Sequence, residues 1–156
     1  MSSKLFDLTG KTAIVTGGNG GIGYGMASEI GKSGANVVIT GRNSDKTKAA
    51  VNELKKSVDN VIGIDSDVSD ESSIKDMIKT SYDTFGSIDV LINNAGIGIR
   101  ELPENYNTDD WNKVININLT GAFLCSREVY PIMKSQGSGK IINIGSMTSI
   151  FGLDWA

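Results

Sequence analysis

Thr12-Ala13-Ile14-Val15-Thr16-Gly17-Gly18-Asn19-Gly20-Gly21-Ile22-Gly23 is the stretch that decides the fold. A short apolar run, Thr12 to Val15, ends in a glycine cluster, and apolar residues then recur at Ile22, Met26, Ala27 and Ile30 with helical spacing. The segment reads as strand, tight turn, helix. Val37-Val38-Ile39, Val61-Ile62-Gly63-Ile64, Val90-Leu91-Ile92 and Ile141-Ile142-Asn143-Ile144 are further apolar runs. Runs without strict alternation suit strands covered on both faces, as in parallel sheets. Helical stripes lie between them: Ala50, Val51, Leu54 and Val58, then Ile74, Met77, Ile78 and Phe85. A fourth stripe runs through Trp111, Val114, Ile115, Leu119, Ala122 and Phe123 towards Pro131. Ser69 is the expected N-cap of the third helix, with Asp70 and Glu71 in its first turn, and the fourth begins near Thr108, ahead of Asp109 and Asp110.

The order β-α-β-α-β-α-β-α-β, with right-handed crossovers, predicts an α/β fold: a Rossmann-type doubly wound parallel sheet, truncated after the fifth strand. The 156 residues and 16.5 kDa leave room for one domain, residues 1–156, around one core. No apolar run has the length of a membrane span, and Met1 to Asp7 lack the apolar segment of a secretory signal. A net charge of -3 gives no basic surplus for nucleic acid or an anionic membrane. With no histidine, Ser-His-Asp and Cys-His catalysis and histidine metal sites are excluded within these residues. The single cysteine allows no internal disulfide and suits a cytoplasmic location.

Glycines after a strand and before a helix let the backbone approach a pyrophosphate, which the helix N-terminus then faces with free N–H groups. Alone, the cluster is equally a flexible turn; the strand–helix context is what points to a dinucleotide. At the end of the second strand, where an NAD site carries an acid, the sequence has Thr40-Gly41-Arg42-Asn43. Arg42 suits the 2′-phosphate of NADP, so NADP is the expected cofactor and NAD the less favoured one. Asp45 is a rival ribose ligand that equally suits a helix first turn.

Thr16-Gly17-x-x-x-Gly21-Ile22-Gly23, Asp67-Val68, Asn93-Asn94-Ala95-Gly96, Asn118-Leu119-Thr120-Gly121 and Ser146 occur in that order along the whole chain. In this the sequence resembles the short-chain dehydrogenase/reductase family, and looks closest to its sugar dehydrogenase and 3-oxoacyl-carrier-protein reductase branches. The resemblance implies hydride transfer between a nicotinamide and a carbonyl or alcohol substrate. It implies that Gly17, Gly21, Ile22 and Gly23 bind the cofactor at its pyrophosphate, Asp67 and Val68 at the adenine, and Asn94, Ala95 and Gly96 near the ribose, with Asn19 of the glycine loop a further cofactor-binding residue. Ser146 would orient the substrate, and Asn118 would hold a water of the proton relay. The helix stripe alone predicts Asn118 to be buried, where backbone partners would serve equally well. The family's fourth helix packs in oligomer interfaces, so a homo-oligomer is expected.

The family's reaction also uses a Tyr-x-x-x-Lys pair after the serine, which these residues stop short of. Tyr130 to Lys134 matches that spacing but precedes the serine, on the wrong helix. The chain is therefore expected to be the N-terminal part of a longer enzyme, inactive by itself, with Ile141, Ile142 and Ile144 forming an apolar sheet edge. The alternatives are a dinucleotide-binding module without catalysis, or a fragment completed by a partner chain. No metal site is expected: Asp65, Asp67 and Asp70 suit loop and cap chemistry. Cys125 reads as a buried thiol and Lys55-Lys56 as a solvated face.

Overall fold

The computed structural model describes residues 6–152. Five parallel strands, β1 (Thr12–Val15), β2 (Asn36–Gly41), β3 (Val61–Asp65), β4 (Val90–Asn93) and β5 (Lys140–Asn143), lie in the order β3-β2-β1-β4-β5. The chain thus winds outward one way from β1 and then returns to its other side. That reversal leaves a crevice between the carboxyl ends of β1 and β4, where open α/β sheets take their ligands.

Side-chain alternation along the central strands feeds two cores. Ile14, Val38 and Leu91 face α3 (Glu71–Phe85) and the later helix α5 (Gly121–Gln136), meeting Ile74, Met77, Cys125 and Val129. Val15, Val37, Ile39 and Ile92 face α1 (Gly21–Lys32) and α2 (Ser44–Leu54), meeting Ala27, Ala50 and Leu54. The doubly wound sheet is as expected. Among the described residues no helix is long and apolar enough to cross a membrane.

Two local expectations are corrected. Asp70, not Ser69, caps α3, its carboxylate accepting from Ser72 N–H. Ser69 belongs to the preceding loop because its N–H and hydroxyl both donate to Asp67 Oδ1, at 2.9 and 2.7 Å. The fourth helix does begin at α4 (Thr108–Ile115), but a π-helical turn, Asn116–Thr120, separates it from α5. The wider turn shifts the helix phase. Ile117, Gly121, Cys125, Val129 and Met133 face inward, while Trp111, Leu119 and Phe123 of the expected stripe are 58%, 63% and 59% exposed. Asn118 turns outward with them and is exposed rather than buried.

Cys125 is buried, and desolvation pushes its thiol up to about 12. Lys55 and Lys56 are exposed, with Lys56 paired to Glu53 at 2.6 Å. Ile141, Ile142 and Ile144 are exposed along the β5 edge.

At the amino end of the sheet Asp89 ties β4 to its neighbours. Its carboxylate accepts from Lys11 Nζ at 2.9 Å, Thr12 N–H at 3.0 Å and the Ser87 hydroxyl at 2.9 Å. Its N–H donates to Thr12 O, and its carbonyl accepts from Lys140 N–H. Burial favours the protonated acid, but the bonds from Thr12, Lys11 and Ser87 outweigh it and hold Asp89 below its ordinary value of 3.8. A depressed native pKa contributes stability above the unfolded value and loses it as pH falls through the native one. Asp89→Asn is expected to lower stability near neutral pH by about 1–3 kcal/mol. It should also flatten part of the acid-side loss below about pH 4 in denaturant titrations of the full-length protein. An unchanged pH profile would contradict this reading.

Candidate functional site

The loops leaving β1, β2, β3 and β4 enclose one cleft of about 520 Å³. The glycine loop forms one wall. Gly17 adopts φ 63°, the left-handed region that favours glycine. A Cβ on Gly23 would lie 2.5 Å from Gly17 O and 2.5 Å from Asn94 Nδ2, so only hydrogen fits between α1 and the loop. Gly20 caps α1 without a side-chain bond, and the first turn carries no acid. The helix therefore presents its positive end to the cleft uncompensated by any side chain.

Thr16 joins this wall to the next. Its hydroxyl oxygen accepts from Asn94 N–H and Ala95 N–H, both at 3.0 Å, and donates to Ile92 O at 3.3 Å. Asn94 returns the contact, Nδ2 donating to Thr16 O at 2.9 Å and Gly17 O at 3.3 Å. Further along, Asn118 holds Ile97 at both backbone groups, accepting from its N–H at 2.9 Å and donating to its carbonyl at 2.8 Å.

The β2 and β3 ends supply the charge. Arg42 is half-exposed, with Nη1 3.9 Å from Asp67 Oδ2. Partial burial would raise the Asp67 pKa, but the Ser69 hydrogen bonds and the Arg42 charge outweigh it and hold the carboxylate below its ordinary value of 3.8. Asn43 caps α2 by accepting from Lys46 N–H, which places Asp45 in the first turn and outside the cleft wall. Asn19 Nδ2 donates to Thr47 Oγ1 at 3.0 Å, linking the glycine loop to α2. Thr40 lines the cleft with a buried hydroxyl that has no hydrogen-bond partner.

Gly17, Asn19, Ile22, Gly23, Arg42, Asp67, Val68, Asn94, Ala95 and Gly96 all line this cleft. Ile22, placed by periodicity on the packed stripe of α1, is instead 73% exposed against it. Gly21 shapes the turn at φ 54° without forming wall. Asn118 stands behind the wall through Ile97. Ser146 lies three residues past Asn143, which pairs with Asn93 at the carboxyl ends of β5 and β4, and caps a short 3-10 turn, Met147–Ser149. Sequence reasoning missed Thr40, Lys46, Ser66 and Ile117 as lining residues and Thr16 as the junction. Lys46 had a usable signal, one helical turn beyond Arg42.

The family model for short chain dehydrogenases matches residues 11–155. The chain belongs to the short-chain dehydrogenase family. It is 38% identical to a 3-oxoacyl-[acyl-carrier-protein] reductase of Synechocystis sp. over 93% of this chain and 59% of that protein. It is 37% identical to glucose 1-dehydrogenase 2 of Bacillus subtilis over 90% of this chain and 56% of that protein. The crystal structure of levodione reductase superposes with a TM-score of 0.90 at 31% identity, covering 94% of this chain and 58% of that one. The chain thus spans a little over half the length of the family members it matches.

Thr16→Val should cost about 1–3 kcal/mol, because two loop N–H groups lose their acceptor, whereas Thr16→Ser should stay near wild type. Denaturant titration of the three full-length proteins measures this. Equal stability of the valine variant would contradict the junction.

Proposed function

We propose that the cleft binds NADP in preference to NAD, and that the full-length protein is an oxidoreductase acting on a small carbonyl or alcohol substrate. The observation that carries this is the meeting, in one cleft, of a helix N-terminus with no side-chain cap bond, a glycine wall and Arg42. The donor set fits the group. Backbone N–H groups at the start of α1 suit a pyrophosphate. Arg42 suits a 2′-phosphate as a planar fork. Asp67 and Val68 would hold the adenine end, and Asn94 to Gly96 the nearer ribose. Thr40, buried without a partner, has a hydroxyl to offer in the same cleft.

When bound, the nicotinamide supplies or accepts a hydride at its C4 carbon. Ser146 is assigned to the substrate oxygen. Its own oxygen accepts from Thr148 N–H at 3.2 Å and the Thr148 hydroxyl at 2.8 Å, so its proton remains available to donate. Asn118 acts as a positioning residue, because both ends of its amide are committed to Ile97 in the cleft wall. Proton transfer is assigned to a Tyr-x-x-x-Lys pair outside these 156 residues, a reading supported by how much longer the relatives are. The exposed Trp111, Leu119, Phe123 and Tyr130 support self-association, which sedimentation of the full-length protein at a single-chain mass would contradict. A cytoplasmic location accords with the lone, buried Cys125.

The test is equilibrium titration of the full-length protein with NADPH and NADH. NADPH should bind more tightly, and Arg42→Ala should weaken it about tenfold while leaving NADH within about twofold. Ser146→Ala should lower kcat on a carbonyl substrate by about 10²-fold. Equal affinity for the two cofactors would overturn the NADP preference, and no binding of either would overturn the dinucleotide reading.

A further inference from the structure

Lys46 is the cation in the cleft that the reading above leaves unused. It stands third in α2 and lines the same cavity as Arg42 and Asp67. A Cβ on Gly20 would lie 2.8 Å from its Nζ and 2.9 Å from its Cε. The ammonium therefore lies against the glycine loop, although the residue as a whole is exposed.

That placement lacks an internal reason. A cation in the first turn of a helix faces the positive end of the helix dipole. Asp45 beside it offsets the dipole, yet no carboxylate among the described residues pairs with Lys46. Lys48, Lys55, Lys113, Lys134 and Lys140 also lack such partners, but none of them lines the cleft. Arg42 and Lys46 together outnumber Asp67, the acid of the wall, whose oxygens already accept from Ser69. A dianion entering between the two cations would satisfy both. Its three oxygens can take the planar fork of arginine and the point charge of lysine at once.

We infer that Lys46 is a second ligand of the 2′-phosphate and, with Arg42, sets the preference for the phosphorylated dinucleotide. The inference rests on the NADP reading. Arg42 would reach the phosphate from the end of β2 and Lys46 from the first turn of α2, beside the glycine loop. Gly20 leaves the space in which the ammonium sits.

The experiment is titration of full-length wild type, Lys46→Gln and Lys46→Arg with NADPH and NADH at low and high salt, with melting midpoints recorded. Lys46→Gln should weaken NADPH about tenfold and NADH less than about twofold, with an unchanged midpoint. Lys46→Arg should keep most of the NADPH affinity, and the loss in the glutamine variant should shrink as salt screens the charge. Unchanged NADPH affinity in Lys46→Gln, with wild type still preferring NADPH, would overturn the inference alone. Equal weakening of both cofactors would also overturn it, assigning Lys46 to the pyrophosphate or to packing on the turn. Wild type that binds neither, or prefers NADH, would overturn the inference together with the cofactor reading.

Discussion

The hydroxyl of Thr16 is the joint on which the cleft depends. A hydroxyl offers one proton and two lone pairs, and here all three are used: two loop N–H groups donate to it and it donates to Ile92. Asn94 answers with two bonds from its amide to the backbone of Thr16 and Gly17. The β1 and β4 loops are thereby fixed to each other side by side, and Gly23 can press against both only because it has no side chain. A looser junction would leave the α1 N-terminus aimed at solvent instead of at a wall.

From that joint the electrostatics follow. Parallel strands leave all their carboxyl ends at one edge, so every loop that could carry a ligand group opens the same way. β1 lies between β2 and β4, which brings the glycine wall between the charged end of β2 and the small residues after β4. The positive helix end is left without an acidic first turn, while α3 and α4 carry acids in theirs. Negative charge belonging to a ligand has the place at α1 that a side chain takes elsewhere. Asp67, the one acid on the cleft wall among the described residues, is held ionised by Ser69 and Arg42 and so remains an acceptor.

Most of this was legible in the sequence because the signals were local and repeated. Five apolar runs and their intervening stripes mark five strands, and glycines at fixed offsets mark the loop. Three things were not legible. The π turn at Asn116–Thr120 changes helical phase without changing composition, so Trp111, Leu119 and Phe123 read as core while Ile117, Cys125 and Val129 are the packed face. The cap of α3 depends on whether Ser69 spends its donors on the helix or on Asp67, which three dimensions decide. Thr40 joins the cleft only because β2 ends beside the glycine loop, a contact set by sheet order rather than by neighbours in sequence.

The central claim is that residues brought together by the Thr16 junction hold one dinucleotide. Hydrogen–deuterium exchange of the full-length protein, with and without NADPH, tests it most directly. The account predicts slowed exchange at residues 17–23, 40–46, 66–68 and 94–97 together, with little change at the amino end of the sheet around Asp89. Protection absent from the glycine loop, or confined to one of these four segments, would contradict it.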